Sequence, residues 1–189
     1  MARRLLGVVV LQLVLRCCAL GAAPPSPAPL NAWIDVPFVR QPKNACGPAS
    51  IAMVMQYWQK QPGMHAPAAG ELPQIERDLQ PANHQEVRAS AMLRYFKQRG
   101  YRAFAFAGQW TDLEHEIAKG RPLIVALRPE GGDTLHYAVV TGVNDAEHTV
   151  LINDPAQRKL LQEDRRQFEK EWEATGKWTL LAVPAVSAH

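Results

Sequence analysis

The chain has 189 residues, 47% of them hydrophobic and 21% charged, with a formal net charge of +3. That length suits one ordinary domain, and so large an apolar fraction excludes wholesale disorder. The whole charge excess sits in Arg3, Arg4 and Arg16, which have no acid among residues 1–23 to offset them. The remainder is neutral on balance and offers no basic surface for nucleic acid.

Residues 1–23 have the pattern of an export signal. Arg3 and Arg4 form a positive start, Leu5 to Leu15 is apolar except for Gln12, and small residues from Ala19 to Ala23 offer cleavage after Gly21 or Ala23. The apolar run is too short to span a bilayer, so the expected location is periplasmic or secreted. Membrane association is expected only if the leader is retained, or lipidated at Cys17 or Cys18. Once the leader is removed, Cys46 is the sole cysteine, which excludes a disulfide scaffold. A lone thiol in an oxidising compartment is a liability unless it has a task, although buried inert cysteines are common. Residues 24–33 are proline-rich and predict an extended linker; residues 34–184 form the expected domain, and 185–189 a tail.

Along that domain, Ile34 to Val39 is a candidate short strand, with Pro37 confining it to an edge. Residues 47–59 predict a helix whose apolar positions wrap most of its circumference, as a buried central helix requires. Leu72, Ile75 and Leu79 suggest a brief helix ended by Pro81. A helix is predicted over His84 to Arg99, stopped by Gly100, and a strand over Tyr101 to Phe106. Thr111 to Glu114 matches a capping box, and Gly120 ends the helix it opens. Leu123 to Leu127, Tyr137 to Val143 and Thr149 to Ile152 are β-branched strands, the last two joined by a hairpin-length loop. Asp164 to Ala174 is helical with Phe168 and Trp172 on one face, and Trp178 to Val183 is a final strand. Helices followed by antiparallel strands predict an α+β domain with a helix packed on a sheet.

Four residues carry the chemistry. Cys46, in QPKNACGPAS, falls where an extended segment turns into the buried helix. There, unpaired N–H groups and the positive end of the helix dipole favour a thiolate, and Gly47 leaves the sulfur uncrowded. Gln41, on the segment before that turn, can bring its amide beside the Cys46 N–H as a second oxyanion donor; it equally suits a solvated loop. His136 opens the strand HYAVVTGV, placed to accept the thiol proton and return one to a leaving amine, or simply to begin a strand. Asp154 ends the next strand in LINDP. Hairpin pairing returns it toward His136, where it can orient the imidazole, although Asn-Asp-Pro is also a generic turn former. Asn153 points to the opposite face. His65, His84, His115 and His148 lack metal-ligand spacing, and no metal or other cofactor is expected. The five tryptophans fit the core or the rim, and Tyr137 fits either the cleft wall or packing.

The order of these residues, with the segments QPKNACGPASIAMVMQYW, GRPLIVALR, HYAVVTGVN and VLINDPA, resembles the papain-like cysteine peptidases. Within them it is most similar to the bacteriocin-processing, or double-glycine leader, peptidases, over roughly residues 34–183. The resemblance implies a papain-like fold, with N-terminal helices, a buried helix starting at the nucleophile, and a C-terminal antiparallel sheet facing it across a cleft. It also implies a catalytic Cys46 and His136, an orienting Asp154, an oxyanion-hole Gln41, and a peptide or protein as substrate. The best-known members are fused to a membrane exporter and an ATPase. This sequence has neither a transmembrane bundle nor a Gly-x-x-x-x-Gly-Lys loop, so no nucleotide is expected. The same residues also suit an acyltransferase, in which an amine resolves the thioester, or a non-catalytic peptide-binding module.

Overall fold

The computed structural model describes residues 30–79, 87–132 and 134–185. The expected leader, most of the expected linker, and the tail beyond residue 185 lie outside these residues. So do Pro81, His84 and the start of the helix predicted there.

In chain order the elements are β1 (Asn31–Trp33), α1 (Cys46–Lys60), α2 (Leu72–Leu79), α3 (Ala89–Gln98), β2 (Tyr101–Ala107) and α4 (Trp110–Ala118). They continue with β3 (Leu123–Leu127), β4 (His136–Asn144), β5 (Thr149–Asn153), β6 (Leu161–Asp164), α5 (Arg165–Glu173) and β7 (Trp178–Pro184). The strands form one antiparallel sheet in the order β2-β7-β3-β4-β5-β6, and β1 pairs with the far end of β4 beyond the reach of β3. This is the α+β papain-like architecture expected from the sequence.

The helices do not lie on one face only. α1, α2 and α3 share a core with Ile124, Ala126, Tyr137, Val139, Leu180 and Ala182. On the other face, α4 and α5 pack on Leu123, Val125, Ala138, Val140, Val143 and Ile152. The alternation along β3 and β4 assigns successive side chains to opposite cores, so these strands are apolar at nearly every position instead of every second one. Ile51, Met53 and Met55 on α1 are fully buried, and the helix is enclosed on several sides.

Several boundaries differ from expectation. Asn31–Trp33, placed in the linker by composition, form β1, and Ile34 to Val39 is not a strand. Trp33 is 56% exposed, outside any core. Val87 and Arg88 precede α3 and are not helical. The box at the start of α4 lies two residues earlier than predicted: Asp112, not Glu114, reaches back, and it accepts the backbone N–H of Gln109 at 2.8 Å. Strand β6 carried no recognisable pattern, because its sequence LQED is polar and only half-buried. Asp164 ends it and caps α5, accepting the N–H groups of Arg166 and Gln167.

Trp172 illustrates how tightly the second core is filled. It is fully buried, stacks near Phe168 at 5.5 Å, and donates Nε1–H to the Trp178 carbonyl. A Cβ on Gly108 would approach Trp172 Cζ2 to 2.6 Å, so no slack surrounds the ring. Trp172→Ala is therefore expected to cost about 3–5 kcal/mol, read as a lowered urea midpoint with an unchanged slope.

Candidate active site

The segment before α1 is shaped to deliver a sulfur. Asn44 takes a left-handed φ of 61°, which Asn tolerates better than most residues, and the Ala45 N–H closes the turn on the Pro42 carbonyl. The chain then enters α1 with Cys46 as its first residue and Pro48 in the first turn, where a missing N–H leaves no intrahelical bond unmade. Gly47 lines the cleft beside Cys46 and is also constrained by packing. A Cβ there would meet Val87 and Met92 at 3.3–3.4 Å, so its missing side chain admits the segment that leads into α3.

His136 stands at the mouth of β4, opposite Leu127 of β3. Its Nε2 lies 2.8 Å from Asp154 Oδ1, which leaves Nδ1 for the Cys46 sulfur, near enough to act on the charge of the ring. A register detail brings the acid to this position. Between Val140 and Gly142 the β4–β5 pairing shifts by one, with Thr141 as the extra residue. Asn153 therefore pairs with Val139, and the alternation places Asp154, one residue on, on the same face as Ala138 and His136. Without the bulge, Asp154 would fall on the opposite face.

Asp154 is 3% exposed and held at both oxygens. Oδ1 also accepts the Ala156 N–H at 2.8 Å, and Oδ2 accepts the Gln157 amide at 2.7 Å. Burial opposes its charge, but these bonds and His136 outweigh burial and hold the carboxyl below its ordinary range. Burial likewise opposes charge on His136. Its hydrogen bonds to Asp154 and Cys46 prevail and push the imidazole up to about 10.

Asn153 is fully buried, as its opposite-face placement implies. It donates to the Val36 carbonyl at 3.0 Å and accepts the Leu160 N–H at 2.9 Å, tying β5 to the segment that leads to Gln41. Gln41 lines the cleft, and its backbone N–H donates to the Pro155 carbonyl at 3.0 Å. Its Oε1 is buried without a partner, leaving the amide nitrogen as the cleft-side end.

Cys46, His136 and Gln41 open on one cleft of about 640 Å³. Glu76, Val87, Leu135 and Tyr137 also line it. Tyr137 both lines the cleft and packs: it is buried, its hydroxyl donates to the Val87 carbonyl, and it meets Trp178 edge-on. His65, His115 and His148 are exposed, away from this cleft. Sequence reasoning missed Gln157, although Asp-Pro-Ala-Gln is a legible turn, and it missed Glu163. Burial, with the like charges of Glu171 and Asp154, pushes Glu163 up to about 7, and its Oε2 has no partner.

A helix that begins at a cysteine, facing a histidine–aspartate pair on an antiparallel sheet, defines the papain-like class of peptidase folds. Within that class the chain belongs to the Peptidase_C39 like family, whose model matches residues 33–180. Among solved structures it is similar to a putative C39-like peptidase from Bacillus anthracis, at 17% identity and a TM-score of 0.63 over 82% of this chain and 98% of that one. It is also similar to a double glycine motif protease from an AMS/PCAT transporter, solved with its leader peptide (23% identity, TM-score 0.62, covering 81% and 94%). A third likeness is the peptidase domain of Streptococcus ComA, a bi-functional ABC transporter of a quorum-sensing pathway (23%, 0.63, 79% and 99%). No curated protein sequence matches. Among the described residues no helix is long and apolar enough to cross a membrane.

Proposed function

We propose that the protein is an exported enzyme that hydrolyses peptide bonds through an acyl-enzyme on Cys46. The observation that carries this reading is the position of His136, hydrogen-bonded to Asp154 and sharing the wall of one open cleft with Cys46. An imidazole held protonated beside the sulfur stabilises negative charge there, so attack needs no separate proton removal. Sulfur bonds to the substrate carbonyl carbon. The resulting oxyanion takes hydrogen bonds from the Cys46 backbone N–H and the Gln41 amide. Collapse breaks the C–N bond, and His136 gives its proton to the leaving amine. His136 then removes a proton from water as the water attacks the thioester and keeps it while sulfur departs as thiolate and the acid product leaves, which restores the starting pair.

The substrate class is a peptide, in keeping with the leader peptide bound by the AMS/PCAT relative. Export rests on the Arg3–Ala23 pattern and is tested by N-terminal sequencing of the protein recovered outside the cytoplasm. For the thiol mechanism, iodoacetamide should alkylate Cys46 at pH 6 at least about tenfold faster than a simple thiol, most of which is protonated there. Alkylation at the simple thiol's rate would remove the basis for an activated nucleophile.

A further inference from the structure

We propose that Gln157 is a positioning residue for the Asp154–His136 pair, its side-chain amide locking the carboxylate oxygen that the imidazole does not use. This inference rests on the reading of Cys46, His136 and Asp154 as catalytic.

A carboxylate hydrogen-bonded at one oxygen only can pivot about its Cβ–Cγ bond and carry the imidazole with it. Asp154 is nearly sealed from water, so Oδ2 has little solvent to lean on. The Gln157 Nε2, 2.7 Å away, is its hydrogen-bond partner. Reach and direction are set by the backbone. The Gln157 N–H bonds the Asp154 carbonyl at 3.0 Å, closing a turn over residues 154–157 with Asp first and Pro155 second, the positions these residues favour. The same turn is strapped to the other side of the site. Pro155 O accepts the Gln41 N–H, and Gln157 O accepts Arg40 Nη2, each at 3.0 Å. One short turn therefore fixes both oxygens of the acid and abuts the segment that carries the oxyanion donor. Charge adds a second reason for the amide. Glu163 lies close enough to Asp154 for the two like charges to oppose one another, and a hydrogen-bond donor at Oδ2 offsets that repulsion. Gln157 is itself largely exposed, so it contributes little to the core.

The test uses the full chain with Gln157→Met, which keeps length but removes the donor, and Gln157→Lys, which restores one. Two readouts are followed across pH: peptide turnover, and alkylation of Cys46 by iodoacetamide, which needs no substrate. For Gln157→Met, kcat should fall about tenfold, the scale of one hydrogen bond to a charged group, with KM within about twofold of the unmutated value. The acid limb of both profiles should move up by about one pH unit as Asp154 becomes easier to protonate, with the unfolding midpoint little changed. Gln157→Lys should recover most of kcat. A Gln157→Met protein with unmoved kcat and acid limb overturns the proposal. So does one that loses kcat only in step with a lowered unfolding midpoint. If the unmutated chain shows neither turnover nor accelerated alkylation, the peptidase reading fails first and the proposal falls with it. Activity in the unmutated chain and its indifference to Gln157→Met would sink the positioning role alone.

Discussion

Cys46→Ala is expected to reduce peptide turnover by about 10⁶-fold, the scale seen when a covalent nucleophile is deleted. The substitution removes one sulfur at the first residue of α1 and leaves the helix start, the Asn44 turn and the cleft walls in place. Peptide binding should therefore survive, and KM-type affinity, measured by fluorescence anisotropy with a labelled peptide, should change little. His136 loses one of the two partners that keep it charged, so its titration in the variant should move down toward neutrality. Binding without turnover in the variant, beside turnover in the unmutated protein, separates the hydrolase from a peptide-binding module. Equal turnover by both would show that some other group attacks. Added amines and product mass analysis extend the same experiment to the acyltransferase alternative, because an amine acceptor leaves an amide in place of an acid.

The sequence made the individual side chains legible but not all of the geometry that joins them. Cys46 could be placed at a helix start because Gly47-Pro48 and the continuous apolar run after it admit few other local structures. His136 and Asp154 could be brought near one another by treating β4 and β5 as a hairpin, and the hairpin is there. Hairpin pairing alone does not reveal the bulge at Thr141, on which the facing of Asp154 depends. A one-residue register shift leaves almost no trace in the pattern of two strands buried on both faces, since apolar residues occupy the even and odd positions alike. For the same reason the second helical layer, α4 and α5, could not be assigned to its own face of the sheet from periodicity. β1 was hidden by the composition around it. Asn31–Trp33 follow a run of prolines, and only the pairing with Gly142 to Asn144, a tertiary contact, makes them a strand. Glu163 was invisible for a related reason: a glutamate in a short polar stretch reads as surface until α5 is folded over it.

Asp154→Asn is expected to lower kcat by about 10⁴-fold, from the wrong tautomer alone. The amide is nearly the same shape, but where it turns its NH₂ toward His136 Nε2 it donates, and the imidazole must then accept at Nε2 and carry its proton on Nδ1, the nitrogen left for Cys46. A base already protonated at that nitrogen and neutral overall cannot take up a thiol proton there. The charge effect acts in the same direction. Burial is the strongest influence on His136 and opposes its charge; with the carboxylate gone, its hydrogen bond and Coulomb attraction vanish while burial stays. The imidazole should then titrate well below about 10, so the high-pH limb of the rate profile moves to lower pH. Stability gives an independent check with a definite sign. His136 is raised from 6.5, so its contribution is fully present below that value and fades as pH rises toward about 10. Asp154 is depressed from 3.8, so its contribution is present above that value and is lost as pH falls through the lower folded value. The pair therefore stabilises most between roughly pH 4 and 6.5, and the gap between the unmutated protein and Asp154→Asn in urea unfolding should be widest there and narrow toward pH 10. A gap that instead widened with rising pH would mean that His136 and Asp154 are not a charged pair in the folded protein, and the proton shuttle assigned to them would have no source.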